Sequence, residues 1–151
     1  MAKRRIRLTT QRIAAAACPA GKAHVLLWDS ERPGLCVRVY PTGRKVFTLL
    51  YRAGGGGRSA RLRWLTLGEV GAIGLADARD AAGTHLGMVA KGGDPAAQRQ
   101  ETRRQARALL EPAIALYEEE IGRRGLVRGR ETISMLQREL LGPLGNVDLA
   151  T

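Results

Sequence analysis

Between Trp28 and Gly68 the sequence places Arg32, Arg38, Arg44, Lys45, Arg52, Arg58, Arg61 and Arg63, with Asp29 and Glu31 as the only acids. A guanidinium keeps its charge at any physiological pH and presents a planar fork of N–H donors that fits phosphate oxygens and the edge of guanine. Such a set binds polyanions; it does not by itself break bonds. The charge is also unevenly spread: residues 1 to 70 carry 14 Lys and Arg against 3 Asp and Glu, whereas residues 71 to 151 carry 11 against 11. The net charge of +11 therefore resides in the first half of the chain, where it suits a nucleic acid.

Other chemistry finds little support. Cys18 and Cys36 are the only cysteines, with no CxxC and no histidine close enough to complete a zinc set, so they read as small apolar residues of a reducing compartment. His24 and His85 are isolated. The glycine run Gly54 to Gly57 has no following Gly-Lys-Ser/Thr and is a hairpin loop, and Gly68, Gly71 and Gly74 lack dinucleotide-binding spacing. No cofactor is implied. No apolar run approaches the roughly 18 residues of a membrane span. The basic start is followed by only a short Ala-rich segment interrupted by Gln11 and Arg12, which does not make a signal peptide. A cytoplasmic protein is the expectation.

The elements that would carry these cations follow from pattern. Thr9 is placed to cap a short helix, with Leu8 and Ile13 at the positions of a hydrophobic staple, and Pro19 and Gly21 end it. Strands are expected over 24–28, 35–40, 45–52 and 61–67, joined by turns at 29–34, Pro41-Thr42-Gly43 and 53–59, which makes an antiparallel meander. Leu35, Val37 and Val39 alternate with Cys36, Arg38 and Tyr40. Phe47, Leu49 and Tyr51 alternate with Val46, Thr48, Leu50 and Arg52. One face therefore packs, with Tyr51 in the core and its hydroxyl wet, and the other meets solvent or ligand. Arg61 and Arg63 share parity with Leu65 and Leu67, so either a bulge switches faces after Arg63 or the arginines overhang the end of the core. Trp28 and Trp64 could stack on bases, but a hydrophobic contact under the sheet is the stronger expectation. Leu75, Ala78, Ala82, Leu86 and Val89 form the stripe of a covering helix. Beyond the break at Lys91 to Pro95, residues 97–124 read as a charged helix interrupted or restarted at Pro112, and 130–141 as a second amphipathic helix.

In this order and spacing, Leu8-Thr9 with Ile13, Trp28-Asp29, Pro33-Gly34-Leu35, Val37-Arg38-Val39, Pro41-Thr42-Gly43-Arg44-Lys45, Phe47, Tyr51-Arg52, Leu65-Thr66-Leu67-Gly68, Leu75-Ala76-Asp77-Ala78-Arg79 and Gly93-Asp94-Pro95 resemble the N-terminal arm-type DNA-binding domain of prophage and genomic-island integrases, which are tyrosine recombinases. Leu140-Leu141-Gly142-Pro143-Leu144-Gly145 is similar to a pattern in the helical core-binding domain of the same enzymes. There are three departures: Leu50 stands where these sheets commonly carry Arg or another polar residue, the Gly54 to Gly57 run makes a looser loop, and Gly74 stands where a Ser-type cap is usual.

The resemblance implies an α+β fold: a small three- to four-stranded antiparallel sheet backed by a helix over residues 1–95, followed at 96–151 by a partial, all-α, SAM-like core-binding domain. It implies that such a sheet lies in the major groove of double-stranded DNA, at the arm sequences of an attachment site. Arg38, Tyr40, Thr48 and Arg52 are then the outward candidates for base edges, and Arg44, Lys45, Arg61 and Arg63 for phosphates. Lys3, Arg4 and Arg5, with Arg7, form an arm for a neighbouring minor groove. The His-x-x-Arg motif of the recombinases' catalytic domain is absent, since His24 is followed by Val-Leu-Leu and His85 by Leu-Gly-Met. DNA binding without strand cleavage is expected of this chain. The alternative is an interaction protein whose helices after Asp94 dock on recombinase protomers and modulate them.

Overall fold

The computed structural model describes residues 5–54, 60–125 and 129–141. The glycine loop expected at 53–59 and residues Lys3 and Arg4 fall largely or wholly outside them. The chain divides into two compact units at Ala96/Ala97.

The first unit is a five-stranded sheet in the order β1-β2-β3-β4-β5, formed by Arg5–Ile6, Val25–Asp29, Leu35–Val39, Lys45–Arg52 and Leu62–Glu69. The meander of four antiparallel strands agrees with the sequence reading. The fifth strand is an addition: β1 runs parallel to β2, with Arg5 opposite Trp28 and Ile6 opposite Asp29. Turn chemistry fixes the register. At Pro41 to Gly43 the Tyr40 N–H donates to Arg44 O at 2.9 Å and the Gly43 N–H to Tyr40 O at 3.0 Å, with Gly43 at φ +82°. That positive φ is the conformation a three-residue hairpin demands. Gly34 also has a positive φ, +85°, and a Cβ there would meet Leu50 O at 2.5 Å, so only glycine lets β3 begin this close to β4.

Helix α1, Thr10–Ala15, starts as expected: Thr9 Oγ1 accepts from the Arg12 N–H at 3.2 Å, and Leu8 and Ile13 are both buried. It ends at Ala15, short of Pro19. Helix α2, Leu75–Ala90, covers one face of the sheet over β4 and β5. Its buried residues Ala78 and Ala82 are small enough to bring its backbone close to Leu35, Val37, Val39, Phe47, Leu49 and Leu65. Removing each large apolar side chain of that set from water contributes about 1.5–3 kcal/mol. Gly74 offers α2 no side-chain cap; Asp77 Oδ2 reaches back instead to accept from the Gly74 N–H at 3.1 Å.

Helix α3, Pro95–Arg124, corrects the expected break, because it runs through Pro112 without interruption. Proline there forfeits a hydrogen bond, at about 3 kcal/mol. Good helix formers lie on both sides, and an Arg107–Glu111 ion pair of 2.6 Å supports the turn just before the proline, so the helix stays continuous. In the second unit Ile114, Ile121 and Gly129 are buried. Helix α4, Gly129–Leu136, continues into a π-helical turn, Gln137–Leu141, and Gln137 Nε2 donates to Glu118 Oε1 at 2.8 Å.

Candidate nucleic-acid interface

With α1 and α2 on one side of the sheet, the other side has no helix of the first unit over it. Strand pairing assigns its occupants. One row crosses the sheet as Arg5, Trp28, Cys36, Thr48 and Thr66; on either side of it lie Leu26, Arg38 and Val46, then Leu50 and Trp64, then Arg52 and Leu62.

The centre of this open face is an aromatic pair. Trp28 on β2 and Trp64 on β5 approach to 5.9 Å between ring centroids at 40°. Neighbouring strands lie about 4.8 Å apart, so the two side chains must reach over β3 and β4 to meet. They roof the small residues between them, which is why Cys36 is fully buried and Thr48 only 3% exposed on a face that no helix of the first unit covers. The expectation that both tryptophans pack under the sheet is thus corrected: they sit on the opposite face from α2. Trp64 remains 39% exposed and its neighbour Leu62 52% exposed. The Arg38 guanidinium lies over the Trp64 ring, 5.0 Å from its centroid. Its Nε is buried without a hydrogen-bond partner among the described residues. A stacked guanidinium gains roughly 0.5–2 kcal/mol from the ring while its edge keeps donors to offer.

The other predicted residues divide by what already holds them. Thr48, expected to point outward, is on the predicted face but beneath the tryptophans, so its hydroxyl is not offered to a ligand. Arg52 is exposed at the end of β4, with Nη1 donating to Ala60 O at 2.9 Å. Tyr40 is half-buried beside His24, and exposed Arg44 lies 6.0 Å from its ring centroid while pairing with Glu69 at 3.3 Å. Lys45 donates through Nζ to Ala14 O at 2.6 Å and so ties α1 to the sheet. Arg61 is exposed just before β5. Arg63 stands opposite Tyr51 on the helix side and pairs with Asp94 at 2.9 Å. The face does not switch after Arg63; the register shift lies farther on, between the Thr48–Thr66 and Phe47–Gly68 pairs, so Arg63 overhangs the core. Arg5 is exposed but belongs to the sheet edge rather than to a free arm. Lys3 and Arg4 lie outside the described residues.

Two polar clusters hold the frame on which this face rests. Asp29, buried on the helix side, accepts from Arg79 Nε at 2.8 Å, from Arg79 Nη2 at 3.1 Å and from the Leu8 N–H at 3.2 Å. Burial would raise its carboxyl, but the Arg79 and backbone hydrogen bonds outweigh that and hold it below the ordinary carboxylate range. Arg79 also reaches Glu31 at 2.7 Å, and Glu31 pairs with Arg7. At the other end, the buried Tyr51 donates its hydroxyl to Asp94 Oδ1 at 2.5 Å and accepts from the Ala96 N–H at 2.9 Å. Burial, reinforced by Asp94, pushes its phenol up to about 12.

A small sheet backed by one helix, with Arg5, Arg38 and Arg52 on its open face, has a form suited to a nucleic-acid groove. The family described as Arm DNA-binding domain matches residues 8–102, well over half of the chain, and the protein belongs to this integrase family. It is accordingly a DNA-binding protein in the context of site-specific recombination. No curated protein matches the chain. Among the described residues no helix is long and apolar enough to cross a membrane, and no cluster of His, Cys, Asp or Glu is placed to hold a metal ion.

Proposed function

We propose that the first unit binds double-stranded DNA sequence-specifically, at attachment-site arm sequences, as the N-terminal part of a tyrosine recombinase of a prophage or genomic island. The open face enters the major groove, whose width of about 12 Å admits a two-stranded ribbon. The observation that carries this reading is the stacked, hydrogen-bond-poor Arg38 at the centre of a face that no helix of the unit covers. Arg38 and Arg52, with Tyr40 at the hairpin end, read base edges; Arg44 and Arg61 take phosphates. Lys45, which ties α1 to the sheet, and Arg63, held on the helix side by Asp94, support the frame, and Lys3, Arg4 and Arg5 are the candidates for a neighbouring minor groove. Strand cleavage belongs to a catalytic domain with a tyrosine nucleophile, and this chain supplies placement on DNA within the bacterial cytoplasm.

Residues 96–151 would then contribute to a helical core-binding domain. A second reading for that unit, docking on a recombinase protomer, is favoured by exposed Leu109, Leu116, Tyr117, Met135 and Leu140. Size-exclusion chromatography of a mixture with a recombinase separates the two: a co-migrating complex supports docking, and independent elution removes it.

Duplexes recovered by this protein from a randomised pool provide the test of the main reading. Log affinity should fall linearly with log salt, at a slope of about −0.9 per phosphate neutralised, above a weaker non-specific background. Absence of duplex binding at roughly 50 mM salt, where phosphate contacts are strong, overturns it.

A further inference from the structure

The open face carries an apolar strip that a purely electrostatic reader has no use for. Leu50 and Trp64 stand opposite each other on β4 and β5, and Leu62 stands opposite Arg52 one step on along the same face. Leu62 is more than half exposed, and Trp28, Leu50 and Leu62 line a hollow of about 230 Å³ together with Arg5 and Arg52. A hollow lined by both apolar side chains and guanidinium groups suits an apolar group carried on a polyanion. In the major groove that group is the C5-methyl of thymine; the other bases present donors and acceptors there, which would lose water against leucine without gaining a partner.

We propose that the Leu50–Leu62–Trp64 strip reads thymine methyl groups, so that the recognised site holds A·T pairs beneath it while Arg38 reads a neighbouring base. This rests on the major-groove reading above. Leu50 is then a specificity determinant.

The test compares a duplex selected by the protein from a randomised pool with the same duplex carrying deoxyuridine for thymidine, which removes methyl groups and leaves every charge in place. The thymine duplex should bind roughly three- to five-fold more tightly for each methyl buried, the factor that burying one such group supplies. Both duplexes should show the same salt slope. Leu50→Gln, a surface change, should shrink the difference without abolishing binding. Equal affinity of the two duplexes for the unaltered protein, or selected sites lacking thymine, overturns the methyl reading and leaves the DNA reading intact. Failure to recover any duplex at low salt overturns both.

Discussion

Arg79 of α2 grips Asp29 of β2 across fifty positions of sequence, with Nε on one carboxylate oxygen at 2.8 Å and Nη2 on the other at 3.1 Å. Through the Leu8 N–H and carbonyl the same pair fixes the segment leading into α1. The Trp28-Asp29 and Leu75 to Arg79 segments are thus one device: Asp29 locks the sheet to the helix behind it while Trp28, the next residue along, roofs the open face.

Asp29→Asn should therefore cost about 3 kcal/mol of stability, the lower end of the range for breaking a buried pair. The sign with pH follows from the depressed folded pKa. The contribution is complete above the ordinary carboxylate range and is lost as pH falls through the lower folded value, so the unaltered protein should lose stability in acid more steeply than the variant. Denaturant melts between pH 2 and about 6, spanning this titration, check this; parallel curves would contradict it.

Tyr51→Phe removes the hydroxyl that joins Asp94 to Ala96 and leaves the buried groups around it short of a partner, which should cost about 1–3 kcal/mol. Here the folded pKa is raised, so the stabilisation is complete below about 10, the ordinary tyrosine value, and is lost as pH rises toward about 12. Ultraviolet titration of tyrosinate should show one late-ionising phenol that the phenylalanine variant lacks.

Arg38→Ala should relax sequence preference, costing about 1–3 kcal/mol on the preferred duplex and little on a scrambled one. Arg44→Ala should weaken all duplexes alike and reduce the salt slope by about one contact. Competition binding of both variants on selected and scrambled duplexes checks this, and an equal uniform loss for both would remove the base-reading role of Arg38.

Much of the frame was readable without coordinates. The alternation from Leu35 to Arg52, the Thr9 cap and the stripe from Leu75 to Val89 all obey local periodicity, and local rules decide such elements. What escaped depends on partners distant in sequence. Two residues, Arg5–Ile6, are too short for any strand pattern and are held by pairing with β2. Thr48 has outward parity, yet two tryptophans from other strands cover it. The position of Trp64 follows from parity once the strand is known to run unbroken: Arg63 and Leu65 then share one face, which leaves Leu62, Trp64 and Thr66 on the other. Pro112 is a helix breaker by local rules, yet the helix formers on both sides of it carry α3 through.

The open face of the sheet, opposite α2, should be the surface that meets DNA. A two-dimensional NMR titration of the protein with a selected duplex tests it most directly. The indole N–H of Trp64 and the methyls of Leu50 and Leu62 should shift strongly and together, while Ala78 and Ala82 in the core under α2 stay in place. Shifts concentrated on α2 or on residues 97–141, with Trp64, Leu50 and Leu62 unmoved, would contradict it.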